Sequence, residues 1–403
     1  MTCVLANRGI PRNHRSVDRT DQTYRGQRKS KNHFSPSLIP TYRASIQKDR
    51  GFELSSGIGK ELLMTTTRIG LMGFGRIGRN FFRLVHDRDD LDVVAVSDIA
   101  DPEALTYLLK YDSIYGRFPV PVSYGDGSLA YDHKEVTFLD AREPGEIAWA
   151  DLGVDVVLET TSKYRTKESL DRHIEAGAKR VILTSSPETP GEIPLLFRGL
   201  NDDILGPETP QIALGSNTSN AIAPILEVLD REFGIERAFM TVVKAMSNAG
   251  RLADVPTHSY RTSRSAAENI IPAETNSADI ITQALPQLEG KLSVTALNVP
   301  VVDGSTVDMV VETNRTTSRE AVNGAVAAAV KDKYAGIIEY VADPIVSTDV
   351  RFDPHSGIFD SLTTMVTGDN LVKTITWFNN GWGYSHRAVE VASRIAGYLN
   401  EGS

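Results

Sequence analysis

Gly73-Phe74-Gly75-Arg76-Ile77-Gly78 is the stretch of this 403-residue chain whose residue types and spacing most clearly serve chemistry. The first glycine permits a tight turn, the second lets backbone approach a pyrophosphate, and the third lets a helix pack on a strand. A helix over about Arg76–Val85 then aims its N-terminal N–H groups and dipole at the phosphates. Asp98 stands twenty residues beyond the last glycine. At that spacing a carboxylate takes the ribose hydroxyls of NAD and repels the 2′-phosphate of NADP.

Those residues need a frame, and the flanking pattern supplies one. Arg68–Met72 reads as an apolar strand entering the glycines, and about Val93–Val96 as the strand that ends at Asp98. Two more apolar strands, Asp155–Glu159 and Arg180–Thr184, flank a helical pattern at Lys167–Ala176. Strand, glycines, helix, strand and acid in this order predict a Rossmann NAD-binding domain of the α/β class, where a lone glycine motif would be weak evidence.

Composition narrows the function classes. The length suits two domains, and 41% hydrophobic with 24% charged residues is an ordinary globular balance. No apolar run reaches the roughly 18 residues of a helical membrane span. Residues 1–63 carry 12 Lys and Arg against 5 Asp and Glu, and the remainder 31 against 47, so a basic leader precedes an acidic body. An acidic body argues against nucleic acid as a partner. The only cysteine is Cys3, which excludes a disulfide framework and a cysteine metal site, and no metal ligand set is assigned. Residues 64–403 therefore contain no thiol.

The leader, rich in Arg, Ser, Asn and Gln, lacks the apolar positions needed to offset its ordering entropy and reads as disordered. Translation from Met64, an organelle transit peptide and a functional basic tail are its three open readings, the second resting on the basic, acid-free stretch 1–17. A chain starting at Met64 is expected to fold like the full one.

From Met64 to the C-terminus the chain resembles the phosphorylating glyceraldehyde-3-phosphate dehydrogenase family. The resemblance rests on GFGRIGRN at 73–80, LLKYDSIYGRF at 108–118, NIIP at 269–272, DPHSGIFD at 353–360 and WFNNGWGYSHR at 377–387. It implies an NAD-binding Rossmann domain over 64–215 and an α+β catalytic-type domain with a mostly antiparallel sheet over 216–380. A last helix over 381–403 returns to the first domain and brings Asn380 and Tyr384 near the nicotinamide. It further implies a cytoplasmic homotetramer, or a mixed tetramer with an active relative, with Arg251–Pro272 as the interface loop. The implied NAD contacts are Gly73, Gly75, Arg76, Ile77, Gly78, Asp98, Ser185, Asn380 and Tyr384. One departure stands among them: in Thr160-Thr161-Ser162, Ser162 replaces a family glycine.

Family chemistry uses a Ser-Cys-Thr-Thr-Asn segment: its thiolate attacks the aldehyde to give a hemithioacetal, which passes hydride to NAD and becomes a thioester, and phosphate then releases the acyl group. A histidine lowers the thiol pKa and shuttles the proton. Here the segment is Ser216-Asn217-Thr218-Ser219-Asn220, so Asn217 takes the cysteine position. Val243-Lys244-Ala245-Met246-Ser247 puts Lys244 at the histidine position. Asn298 takes the place of the substrate-phosphate arginine, Thr275-Asn276 that of a Thr-Gly pair, and Ala249-Gly250 that of an Asp-Gln pair. Hydroxyls of Ser216, Thr218, Ser247 and Thr275 and the charge of Arg264 remain as candidate phosphate contacts.

Ser216, Thr218 and Ser219 have no positioned base, and His86, His133, His173, His258, His355 and His386 read as structural. Lys244 either pairs with a carboxylate or with Asn217, or is a desolvated amine able to form a Schiff base. The sequence is thus expected to give an NAD-binding family member that has lost phosphorylating aldehyde oxidation. An altered oxidoreductase is the alternative.

Overall fold

The computed structural model describes residues 66–401, so the expectations about residues 1–63 lie outside the described residues. Apolar strands and amphipathic helices alternate at first: β1 (Thr67–Met72), α1 (Arg76–Val85), β2 (Leu91–Ser97) and α2 (Pro102–Lys110). A two-stranded ribbon, β3 (Tyr111–Asp112) and β4 (Gly116–Arg117), precedes the meander β5 (Val122–Gly125), β6 (Ser128–Tyr131) and β7 (Lys134–Leu139). Then β8 (Val156–Glu159), α3 (Lys167–Glu175), β9 (Arg180–Leu183) and β10 (Gln211–Ala213) complete an eight-stranded sheet ordered β10-β9-β8-β1-β2-β7-β6-β5. The six strands from β10 to β7 run parallel, which aligns their C-terminal ends along one edge. The observed strands differ from the apolar runs by one or two residues. Backbone pairing of Thr67 with Leu91, for example, begins before the apolar pattern does.

The second half runs through α4 (Asn217–Phe233), β11 (Ile235–Lys244), β12 (Ile271–Ala273), α5 (Ser277–Ala284) and β13 (Leu292–Asn298). It continues with β14 (Ser305–Thr313), α6 (Arg319–Lys331), β15 (Ile338–Val341), β16 (Gly357–Thr367) and β17 (Leu371–Phe378). Its seven-stranded sheet is ordered β12-β13-β11-β14-β17-β16-β15, and only the β11–β13 and β15–β16 pairings are parallel. Alternation along the strands sets its two faces. Ala238, Met240 and Val242 of β11 and Val307 and Met309 of β14 are buried in one core with Ile222, Ile225 and Leu226 of α4. Phe239, one step along β11, points the other way and is 64% exposed.

The last helix, α7 (Trp382–Glu401), turns back to the first half. Its Ala388, Val391, Ala392 and Ile395 share a core with Phe81, Phe82 and Val85 of α1.

Close packing at the glycine turn explains the motif. Gly73 has φ +97°, a left-handed conformation that a side chain resists. A Cβ on Gly78 would lie 2.5 Å from the Gly73 carbonyl oxygen, which is backbone and cannot swing aside. Gly78→Ala should therefore destabilise the protein by about 1–3 kcal/mol, as overpacking does. Calorimetry should show a melting temperature several degrees lower; a change below about one degree would remove this contact as the reason for the glycine.

Candidate active site

The parallel strands end in a cleft of about 810 Å³ whose lining includes Gly73, Gly75, Arg76, Ile77, Asp98 and Asn380. Position 75 is open: a Cβ there would meet nothing within 4 Å, which leaves room for a ligand against the backbone. The Asp98 carboxylate is oriented by two backbone donors, Phe74 N–H at 2.7 Å and Ala100 N–H at 3.0 Å. Helix α1 begins at Arg76, so its N-terminus faces the same space. A dinucleotide fits this arrangement, with open backbone for its pyrophosphate and a carboxylate for its ribose.

Other expected contacts lie elsewhere. Gly78 packs against the turn rather than lining the cleft. Tyr384 is buried, its hydroxyl donating to the Gly215 carbonyl at 2.9 Å, and burial pushes its pKa up. The Ser185 hydroxyl is buried without a hydrogen-bond partner, also outside the cleft lining. A returning helix was legible, but the direction of each of its side chains depends on how it packs.

Sequence reading missed Arg142, Lys163 and Tyr164, which line the cleft from the loops after β7 and β8. The Tyr164 hydroxyl accepts from the Lys163 ammonium at 2.8 Å and donates to the Arg142 carbonyl. Loops after parallel strands are where ligands bind in such sheets, so their position was the available signal. Ser162, also in the lining, has φ +60°, confirming that the position asks for glycine geometry. The turn is held from behind by Glu159, fully buried, which accepts the Thr161 N–H at 2.8 Å. Glu159 Oε2 faces His173 Nε2 at 3.4 Å, and His173 Nδ1 accepts the Trp149 indole N–H at 3.1 Å. With Nδ1 accepting, the proton belongs on Nε2 and points at the carboxylate. His173 is structural in this sense.

Asn217 is the first residue of α4, behind the cap Ser216, whose Oγ accepts the Ser219 N–H at 3.1 Å. The Asn217 amide donates to the Asn380 carbonyl at 2.8 Å and accepts the Thr218 N–H at 2.8 Å. Lys244 ends β11, half-buried. Among the described residues neither a carboxylate nor Asn217 pairs with its ammonium, contrary to the first of the two expectations. Burial alone pushes its pKa below the ordinary lysine value.

The candidate phosphate contacts do not form one group. Thr218 is buried, and the Thr275 hydroxyl shares a hydrogen bond with Ser277 at 2.8 Å. Arg264 is spent on an exposed pair with Asp254 at 3.0 Å. Ser247 lines the cleft, and Asn298 sits beside Lys244 on the neighbouring strand.

Two family models match the chain: "Glyceraldehyde 3-phosphate dehydrogenase, NAD binding domain" over residues 67–167 and the C-terminal domain of the same enzyme over 216–380. A glyceraldehyde-3-phosphate dehydrogenase of Geobacillus stearothermophilus is 40% identical over 330 residues, covering 82% of this chain and 98% of that protein. The enzyme of that name from Streptomyces coelicolor is 42% identical over 337 residues, 83% of this chain and all of its own. Glyceraldehyde-3-phosphate dehydrogenase 2 of Bacillus subtilis is 40% identical over 337 residues, 83% of this chain and 98% of that one. With the glycine turn, Asp98 and the open backbone at Gly75 in place, the chain belongs to the glyceraldehyde-3-phosphate dehydrogenase family and carries its NAD-binding domain.

Proposed function

We propose that this chain binds NAD in the cleft and has lost the phosphorylating oxidation of glyceraldehyde 3-phosphate. The observation that carries this reading is the amide of Asn217 at the start of α4, in a body whose residues 64–403 contain no cysteine. An amide neither ionises near neutral pH nor leaves, so it cannot form or release an acyl intermediate. The hydroxyls beside it lack a base, since no histidine lines the cleft among the described residues. Asn298 offers no guanidinium, and Arg264 already faces Asp254, so the strongest directional contact to a phosphate is gone. When bound, NAD supplies a two-electron acceptor. The chain's own part is to hold it: Gly75 leaves room for the pyrophosphate, α1 aims N–H groups at it, and Asp98 takes the ribose.

A second reading is an oxidoreductase acting on another substrate, and Lys244 favours it. Burial lowers the pKa of this half-buried amine, which is the direction an acid–base group needs.

A homotetramer, or a mixed tetramer with an active relative, is the assembly that fits the surface. Phe239 and Met365 stand out from the uncovered sheet face at 64% and 54% exposure. Leu252, Tyr260 and Ile270 do the same along the loop Arg251–Pro272. Apolar groups gathered this way mark an interface. We read the chain as cytoplasmic, with organelle import following if residues 1–63 act as a transit peptide.

Three measurements test these readings. Calorimetric titration should give tighter binding of NAD than of NADP, because Asp98 repels a 2′-phosphate; equal or tighter NADP binding would overturn that assignment. An NADH-absorbance assay with glyceraldehyde 3-phosphate and phosphate should stay at background, since losing a nucleophile with its base costs on the order of 10⁶ in rate. Restoring Asn217→Cys with Lys244→His should recover only a trace, limited by Asn298, and robust turnover by the unmodified chain would sink the idea. Light scattering should give a tetramer mass at micromolar concentration, and a monomer mass would remove both assemblies.

A further inference from the structure

Ser162 sits in the cleft lining at φ +60°, a left-handed conformation that a side chain resists. Strain of this kind persists only where the neighbours impose it. Here they do so on both sides of the residue. The Thr161 N–H and hydroxyl before it both donate to Glu159 Oε1, the N–H at 2.8 Å. The Lys163 N–H after it donates to the Thr161 hydroxyl oxygen at 3.1 Å, which closes a tight bend around Ser162. Glu159 is held in turn. Its Oε2 faces His173 Nε2 at 3.4 Å, and the other ring nitrogen takes the Trp149 indole N–H at 3.1 Å. Glu159, His173 and Trp149 are all fully buried. The direction of each bond is fixed from the core outward, because an indole only donates and a carboxylate only accepts. The same loop bears on the glycine turn. The Thr160 hydroxyl donates to the Gly73 carbonyl at 2.7 Å, and a Cβ on Gly73 would lie 3.0 Å from the Thr161 nitrogen. Core, loop and glycine turn thus form one connected run that ends in the cleft.

We propose that Glu159 is the positioning residue of the cleft: through Thr161 it keeps Ser162 left-handed, and the loop after β8 takes a dinucleotide only in that conformation. This deepens the NAD-binding reading and rests on it. A carboxylate is needed because both of its oxygens meet donors. Glutamine has one acceptor end and one donor end, so it satisfies Thr161 or His173 and not both. His173 cannot turn its proton away from residue 159 while Nδ1 receives the indole N–H. With the hold lost, a serine relaxes out of the left-handed region and carries Thr161 and Lys163 with it, which moves the loop off the cleft wall. A glycine needs no such hold, since it takes either sign of φ. The buried triad therefore does for a serine what the lack of a side chain does for a glycine.

Binding to the full chain reads this without turnover. NADH affinity is measured by fluorescence titration. Calorimetry gives that of ADP-ribose, which has the pyrophosphate and both riboses but no nicotinamide, and circular dichroism checks the fold of each variant. Glu159→Gln should weaken both ligands about 5–30-fold, the equilibrium equivalent of left-handed strain on one residue. A fully buried position can cost the fold, so a second variant reads the same hold from its other end. Thr161→Val, on the half-buried loop and close to threonine in shape, should weaken binding to a similar extent. Adding Ser162→Gly to either variant should bring both affinities back to within about threefold of the unmodified chain. Undiminished affinity in Thr161→Val, or an equal loss whether residue 162 is serine or glycine, overturns this proposal alone. Failure of the unmodified chain to bind either ligand overturns the NAD reading with it.

Discussion

The dipeptide Asn379-Asn380 is the knot on which the two halves depend. The Asn379 side chain accepts N–H groups of Gly381 and Trp382 at 2.7 and 2.5 Å, which starts α7, and also the Tyr115 hydroxyl at 2.9 Å. Its amide donates to buried Asp303 at 2.6 Å and to the Arg351 carbonyl at 2.7 Å. Asn380 adds the bonds to Asn217, Ser305 and Ala245. Segments from both halves of the chain therefore meet at two residues. In a buried setting each of those bonds also spares a polar group the cost of going unpaired, so the turn has little freedom to drift.

A fixed turn sets Asn380 at the cleft and ties it to the start of α4 and the end of β11, a scaffold that can persist while the chemistry changes. Thiolate chemistry needs a nucleophile and a base tuned to each other. This chain carries an amide, Asn217, at the start of α4 and an amine, Lys244, at the end of β11, and the two do not make such a pair.

Much of the fold was legible because its signals are local. The glycine turn, Asp98 and the apolar strands each announce themselves within a few residues, and α1 lies where the pattern put it. Asn217 and Lys244 stood out because short motifs surround them. Tyr384 did not: its neighbours predict a helix, yet only the packing against Gly215 decides that the ring turns inward. Arg142, Lys163 and Tyr164 were hidden for the opposite reason. They sit in loops without periodicity, and only the alignment of parallel strand ends brings them to one cleft. The pairing of Arg264 with Asp254 likewise arises inside a loop, where residue type gives no distance.

The return of α7 has a consequence for how the protein is made. Phe81, Phe82 and Val85 of α1 wait for Ala388, Val391 and Ile395, which lie some three hundred residues later. During synthesis the dinucleotide half leaves the ribosome with an open apolar flank, and it stays open until the final helix emerges. Closure of that flank waits for α7 rather than for the emergence of the domain itself, which makes the nascent chain a natural client for holding chaperones. The twenty residues of α7 finish the first half of the protein.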